Sequence, residues 1–167
     1  MFVGSCLFWM VALVCAPADS PTQGEASKKD LELLQGTWRM ADMLTPPGMP
    51  KPPKDVMDNM RLVIQGKKMI IQLHGTTREE TFSIDASKSP KWIDSTTTIQ
   101  IIPLDPKAKR QEQKKNIYGI YEITGDTWRV CENSFGDDQD DRTKRPKELK
   151  PSGPFTVTVW NRVKMEP

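Results

Sequence analysis

The chain has 167 residues, of which 37% are hydrophobic and 28% charged, and its formal net charge is +2. A charge so close to neutral gives no electrostatic argument for binding nucleic acid, which needs a strongly basic surface. Two of the three cysteines, Cys6 and Cys15, lie near the N-terminus. The rest of the chain has one cysteine, so we expect no internal disulfide there. Stability must then come from an apolar core, which a chain of this length can build.

Residues 1–18 are uncharged and mostly apolar, and they end in Ala16-Pro17-Ala18. This pattern predicts a secretory signal peptide and an extracytoplasmic location, either secreted or periplasmic. The apolar run of about 16 residues is shorter than the roughly 20 that a spanning helix needs, so we expect no stable membrane span after cleavage. Two alternatives stay open, an uncleaved membrane tether and lipidation at Cys15.

Residues 19–30 are polar and show no periodicity, which predicts a flexible linker before a domain at 31–165. A single helical turn at 30–34 leads into Gly36-Thr37-Trp38, where the first predicted strand begins. Five prolines follow between 46 and 53. They exclude a central strand or helix and predict a long loop, a kind of segment that often borders a binding site.

Short segments rich in alternating and β-branched residues, separated by turn residues, continue to the end of the chain. The predicted strands and hairpins fall at 60–74, 79–85, 91–102, 117–132 and 155–163, with polar connections at 103–115 and 133–154. About eight strands with this spacing favour an all-β, up-and-down antiparallel eight-stranded barrel over a tightly curved sandwich. A barrel of that size is either filled by side chains or holds one small ligand.

Five motifs stand in a fixed order along the chain. They are Gly36-Thr37-Trp38, Phe82-Ser83-Ile84-Asp85, Ser89-Pro90-Lys91-Trp92-Ile93-Asp94, the stretch Ile120-Tyr121-Glu122-Ile123-Thr124-Gly125-Asp126-Thr127, and Arg145-Pro146-Lys147. In these motifs the chain resembles an uncharacterised lipocalin-like domain family that is expanded in planctomycete bacteria. The resemblance spans about residues 31–164 and implies an extracytoplasmic lipocalin/calycin-like barrel, but no activity.

The same resemblance suggests how one end of the barrel is closed. In the wider lipocalins a late arginine packs across the tryptophan of the first strand, and Arg162 is similarly placed relative to Trp38. We therefore expect Trp38 and Arg162 to form a structural barrel-end pair through a cation–π contact. The chain departs from many secreted lipocalins by lacking their disulfide and by its acidic stretch at 137–141.

Alternation along the strands predicts which side chains face the barrel interior. The predicted inward set is Met40, Leu62, Ile64, Met69, Ile71, Phe82, Ile99, Ile101, Tyr121 and Val157. Methionine-rich apolar linings adapt to small hydrophobic ligands. The candidate ligand-binding residues are Met40, Ile64, Ile71, Ile101 and Tyr121, and the alternative is a filled core.

No catalytic constellation, metal site or cofactor site is expected. Cys131 and His74 could form a nucleophile and base, but no oxyanion glycines surround the cysteine. The acidic stretch at 137–141 lacks the glycine and distal glutamate of a calcium loop, and basic residues follow it at once. The basic stretch at 107–115 lacks the aromatic residues on which nucleic acid bases stack.

Two functions therefore remain. The first is non-catalytic binding of a small apolar or amphipathic ligand, entered at the end opposite Trp38 with residues 45–53 near the mouth. The second is a protein–protein or cell-envelope scaffold domain with a filled core. A cavity of about 300 Å³ or more would favour the first. The sequence does not set the oligomeric state.

Overall fold

The computed structural model describes residues 23–101, 111–133 and 141–164. The elements are α1 (Gln23–Leu34), β1 (Gly36–Leu44), α2 (Lys54–Asn59), β2 (Arg61–Gln65), β3 (Lys68–Leu73), β4 (Thr76–Asp85), β5 (Lys91–Ile101), β6 (Gln111–Thr124), β7 (Thr127–Glu132), a 3₁₀ turn at Arg142–Lys144 and β8 (Thr156–Arg162). The predicted signal peptide at 1–18 lies outside these residues. Within them, no helix has the length and apolarity that crossing a bilayer requires.

The eight strands form a closed antiparallel barrel in which each strand pairs with the next and β8 pairs with β1. This confirms the predicted all-β, up-and-down, lipocalin-like fold class. The closing pair aligns Trp38 with Arg162 and Leu44 with Val157, with one irregularity between Met40 and Asp42. Because the first and last strands pair, each described strand has a neighbouring strand on both sides.

The predicted linker at 19–30 is wrong over residues 23–30, which form most of α1. The helix is held by contacts with the barrel, since Ser27 Oγ accepts a hydrogen bond of 3.0 Å from the Ala86 N–H and the Asp30 carboxylate binds two barrel side chains. Its last residue, Leu34, is completely buried. A polar segment without periodicity does not reveal such tertiary contacts, and in proteins they are the main source of helix stability.

The two ends of the barrel differ. At one end lie α1 and the tight connections β2–β3, β4–β5 and β6–β7, and we call it the closed end. At the other lie α2, the β3–β4 turn, the end of β7 and the start of β8, and we call it the open end. The proline-rich segment at 45–53 precedes α2 and therefore belongs to the open end, as predicted.

Apolar side chains pack on both sides of the barrel wall. Inside, one cluster includes Trp38, Trp128 and Trp160. Outside, Val157 packs with Ile120 and Cys131, so its predicted inward orientation is wrong. The β7–β8 connection covers this part of the wall, which buries both faces of β8, and hydrophobicity therefore does not distinguish the inner face from the outer one.

Residues 141–155 form an anchored strap across the outer wall, where the sequence predicted only a polar loop. The Arg145 guanidinium donates to Asp94 Oδ1 at 2.5 Å and to the carbonyl oxygens of Ile93 at 3.2 Å and Gly119 at 2.5 Å. Its central carbon lies 4.5 Å from the centre of the Trp92 ring. Because its guanidinium is charged, stacks on a ring and donates three hydrogen bonds, Arg145 is the main polar attachment of the strap.

Replacing Arg145 with alanine should therefore destabilise the protein. The change removes charge-assisted hydrogen bonds, and we expect the free energy of unfolding in urea to fall by about 2–3 kcal/mol. Lys150→Ala is the matched control on the same strap, because its ion pair with Glu148 is exposed and should contribute less than about 0.5 kcal/mol. Equal losses in the two variants would contradict the anchoring role.

Candidate functional site

A cavity of about 640 Å³ occupies the open half of the barrel. Four methionines line it, Met40, Met43, Met60 and Met69, together with apolar side chains from β2, β3, β5, β6 and β7. Met40 and Trp128 each lie directly opposite Trp160 on β8, so these three side chains form one row along the wall. Most of the lining is therefore apolar, and its methionine side chains can change conformation to fit a ligand.

The floor of the cavity is built by the closed end. The Trp38 ring is completely buried and meets the cavity-lining Trp128 edge to face, with 5.9 Å between ring centres. The Trp38 indole N–H donates to the Leu34 carbonyl oxygen at 2.8 Å, which joins the ring to the end of α1. Helix and ring together close this end, and the cavity is lined by residues from the half of the barrel beyond Trp38.

The predicted cation–π pair is present. The central carbon of the Arg162 guanidinium lies 4.3 Å from the centre of the Trp38 ring. The same guanidinium donates to the carbonyl oxygens of Gln35, at 2.7 Å, and Leu33. Between α1 and β1, Gly36 adopts a φ of +112°, a conformation that residues with a side chain rarely take. This turn lets Arg162 reach the last carbonyl groups of the helix.

A polar band crosses the cavity wall from β4 to β6. Glu80 lies directly opposite Thr97, which in turn lies opposite Lys115. Arg78 and Glu132 also line the cavity, so two cationic and two anionic side chains contribute to its described surface. The positive and negative charges are equal in number, so the lining has no strong preference for an ionic ligand of either charge.

The structure separates the five predicted ligand-binding residues. Met40 and Ile71 line the cavity. Ile64 and Tyr121 do not, because they belong to the packed closed half: Ile64 lies opposite Gly36 at the start of β1, and the Tyr121 hydroxyl donates to Asp30 Oδ2 at 2.8 Å. The side chain of Ile101 lies outside the described residues.

The sequence prediction missed Glu80, Thr97 and the tryptophans at 128 and 160. A signal for Glu80 was present, since it alternates in step with Phe82 and Ile84 and so stands on an inward face. A carboxylate on an otherwise apolar face indicates either a buried partner or a ligand contact.

Cys131 and His74 have unlike surroundings. Cys131 is completely buried on the outer wall, its Sγ lies 3.8 Å from the Lys150 carbonyl oxygen, and burial raises the pKa of its thiol to about 11. His74 is exposed in the β3–β4 turn. A buried thiol with a raised pKa is a poor nucleophile. In the described ranges, no group of three or more histidine, cysteine or carboxylate side chains could hold a metal ion.

A second hollow of about 580 Å³ lies on the outer wall beside the strap. Two of its charged groups, Arg145 and Asp94, bind each other, and its Trp92 ring has Lys88 within 5.0 Å and Arg145 within 4.5 Å of the ring centre. These contacts explain the residues of this hollow as attachment of the strap. The barrel cavity is therefore the candidate site.

The chain matches no protein family, no curated protein and no solved structure. Membership of the lipocalin-like family stays a prediction that rests on the motifs. The structure brings residues of separate motifs into contact, however: Asp94 binds Arg145, while Lys91 and Tyr121 both bind the same oxygen of Asp30. These contacts lie at the outer wall and the closed end, and Ile93 is the motif residue that lines the cavity.

The positive φ of Gly36 predicts that alanine at this position lowers the free energy of unfolding more than alanine at Gly24 does. Gly36→Ala places a side chain at a φ of +112°, and we expect it to lower the free energy of unfolding by about 1–3 kcal/mol. Gly24→Ala in α1 is the control, because an added Cβ meets no atom within 4 Å there and alanine favours a helix. A Gly36→Ala variant as stable as the parent would refute the constraint.

The free energy of unfolding should decrease at alkaline pH. Burial raises the pKa of Cys131, and burial together with the Asp30 hydrogen bond raises the pKa of Tyr121. The unfolded chain releases these protons near its ordinary pKa values, about 8.5 for cysteine and about 10 for tyrosine, while the folded chain keeps them. Their contribution is therefore complete below about pH 8 and is lost as the pH rises above those values.

Urea unfolding at a series of pH values between neutral and strongly alkaline checks this expectation. Cys131→Ala should flatten the first part of the decline and Tyr121→Phe the part at higher pH. Unchanged slopes in both variants would show that other groups cause the decline.

Proposed function

We propose that the protein binds a small apolar or amphipathic molecule in the open-end cavity and performs no chemistry on it. The observation that carries this proposal is the cavity of about 640 Å³, which exceeds the 300 Å³ that small-ligand sites typically require. A scaffold domain with a filled core would not keep such a space, since protein interiors are normally closely packed.

The composition of the lining supports an apolar ligand. Four methionines give a surface that adjusts to ligand shape, and the two tryptophans supply large rigid faces. Since α1 and Trp38 close the other end of the barrel, a ligand would enter beside α2 and lie with its deeper part against Trp128.

An extracytoplasmic site of action belongs to the same proposal. Its support is the uncharged apolar segment at 1–18 and the Ala16-Pro17-Ala18 sequence that ends it. Carrying or sequestering a poorly soluble molecule outside the cytoplasm is a role that needs no catalytic group. The alternative proposal is a protein–protein or cell-envelope scaffold domain, for which ligand uptake is not required.

A fluorescent neutral probe, N-phenylnaphthylamine, tests the binding proposal. Trp128 and Trp160 line the cavity, so a probe bound there should accept energy from them and emit with higher intensity. Ile71→Trp fills part of the cavity, and we expect it to weaken probe affinity about tenfold or more, which corresponds to about 1.4 kcal/mol.

Ile70→Trp is the matched control. It is the neighbouring position on β3, it lies outside the cavity lining, and it should change probe affinity less than about twofold. Thermal unfolding verifies that both variants fold, and the smaller change Ile71→Phe replaces Ile71→Trp if the latter does not. If the parent protein binds no probe, or if both variants bind it like the parent, ligand binding in this cavity is refuted and the scaffold proposal gains.

A further inference from the structure

Three buried side-chain polar atoms have no hydrogen-bond partner within the described ranges: Glu80 Oε1, Thr97 Oγ1 and Trp128 Nε1. Their residues are 5%, 3% and 1% exposed. All three residues line the same cavity. Leaving a buried polar atom unpaired costs about 1–3 kcal/mol, and such atoms are rare in folded proteins. Thr97 Oγ1 and Trp128 Nε1, with the ion-paired Glu80 Oε1 beside Thr97, therefore call for a polar partner inside the cavity.

Neighbouring polar groups in the barrel are paired, which sets these three apart. The Trp38 indole donates to Leu34 at 2.8 Å, and the Trp160 indole donates to Thr158 Oγ1 at 3.2 Å. Thr158 Oγ1 in turn lies 3.5 Å from the Val130 carbonyl oxygen. Of the indole groups in the core cluster, only that of Trp128 lacks an acceptor among the described residues.

Glu80 and Thr97 form one polar station on the wall. They lie directly opposite each other on β4 and β5, and Met69 is the cross-strand neighbour of Glu80 on the other side. Arg78 Nη2 forms an ion pair with Glu80 Oε1 at 2.6 Å, but the pair does not have hydrogen-bond geometry. The station thus keeps an accepting oxygen and a hydroxyl available beside an apolar surface.

The donor and acceptor types narrow the ligand chemistry. An indole N–H only donates, a carboxylate oxygen only accepts, and a threonine hydroxyl does both. A ligand group that both donates and accepts can pair with any of them, and a hydroxyl is the simplest such group. Because Arg78 and Lys115 balance Glu80 and Glu132 in the lining, an ion would gain little there against the cost of leaving water.

We infer that the cavity selects a neutral molecule with an apolar body and a hydroxyl group, an alcohol or a phenol, whose hydroxyl pairs with the Glu80–Thr97 station or with Trp128. Its apolar body contacts the methionine side of the cavity. This inference rests on the proposed binding function, because it names the ligand class of that same site.

Competition against bound N-phenylnaphthylamine tests the inference with a matched set of ligands. The set is para-hexylphenol, hexylbenzene, para-hexylbenzoate and para-hexylaniline. An unselective apolar cavity should favour hexylbenzene, since it leaves water most readily. We expect para-hexylphenol to compete at a concentration about tenfold lower than hexylbenzene, and lower than the benzoate anion.

Variants identify the groups responsible. Thr97→Val keeps the shape and removes the hydroxyl, and Trp128→Phe removes the N–H while keeping an aromatic ring. We expect at least one of them to reduce the preference for the phenol about threefold or more. Thr96→Val is the control on the opposite face of β5, where Thr96 Oγ1 bonds to Asn116, and it should keep the full preference.

The outcomes separate the two proposals. If the probe binds but hexylbenzene competes as well as the phenol, an internal water satisfies the three atoms and the hydroxyl inference is wrong, while the binding function stands. Stronger competition by the benzoate also overturns it, as does an unchanged preference in both cavity variants. If the probe does not bind to the parent protein, the binding function itself fails.

Discussion

The guanidinium of Arg162 is the contact on which the rest of the barrel depends. It stacks on Trp38 from the first strand while its own strand is the last, so it joins the two strands whose pairing closes the sheet. It also binds the final carbonyl groups of α1, which would otherwise end without partners. Closure of the sheet, attachment of the helix and the floor of the cavity therefore share one side chain. The cavity therefore lies in the half of the barrel away from Trp38.

A second arginine repeats this chemistry on the outside. Arg145 stacks on Trp92 and donates to backbone carbonyl oxygens of β5 and β6, as Arg162 stacks on Trp38 and donates to those of α1. An arginine suits both places because its planar group can stack through its face and donate through its edge at once. Gly119, whose carbonyl oxygen accepts from Arg145, has no room for a side chain, because a Cβ there would lie 2.8 Å from the Cys131 carbonyl oxygen. Most residues of the family-like motifs thus close or cover the barrel, and among them Ile93 lines the cavity.

The sequence predicted the barrel because polar and apolar residues alternate on strands such as β4, where Glu80, Phe82 and Ile84 share the inner face. It predicted the wrong face for Val157 because the strap buries both sides of β8, and the alternation then carries no information about which side is inner. It predicted only the turn at 30–34 and missed the earlier part of α1, because the helix is stabilised by Asp30, Ser27 and Leu34 against distant strands. For the site, Met40 and Ile71 could be found, whereas Tyr121 could not be excluded without knowing that Asp30 reaches its hydroxyl.

The strap has a chemical consequence for Cys131. Thiol–disulfide exchange requires a thiolate that another sulfur can approach. Beneath the strap the sulfur is fully covered, and burial raises its pKa to about 11, which lowers the thiolate fraction further below that of a free cysteine. The Cys131 thiol of the folded barrel is therefore protected from oxidation to a disulfide. While the strap stays in place, copies of the chain cannot become crosslinked through this residue.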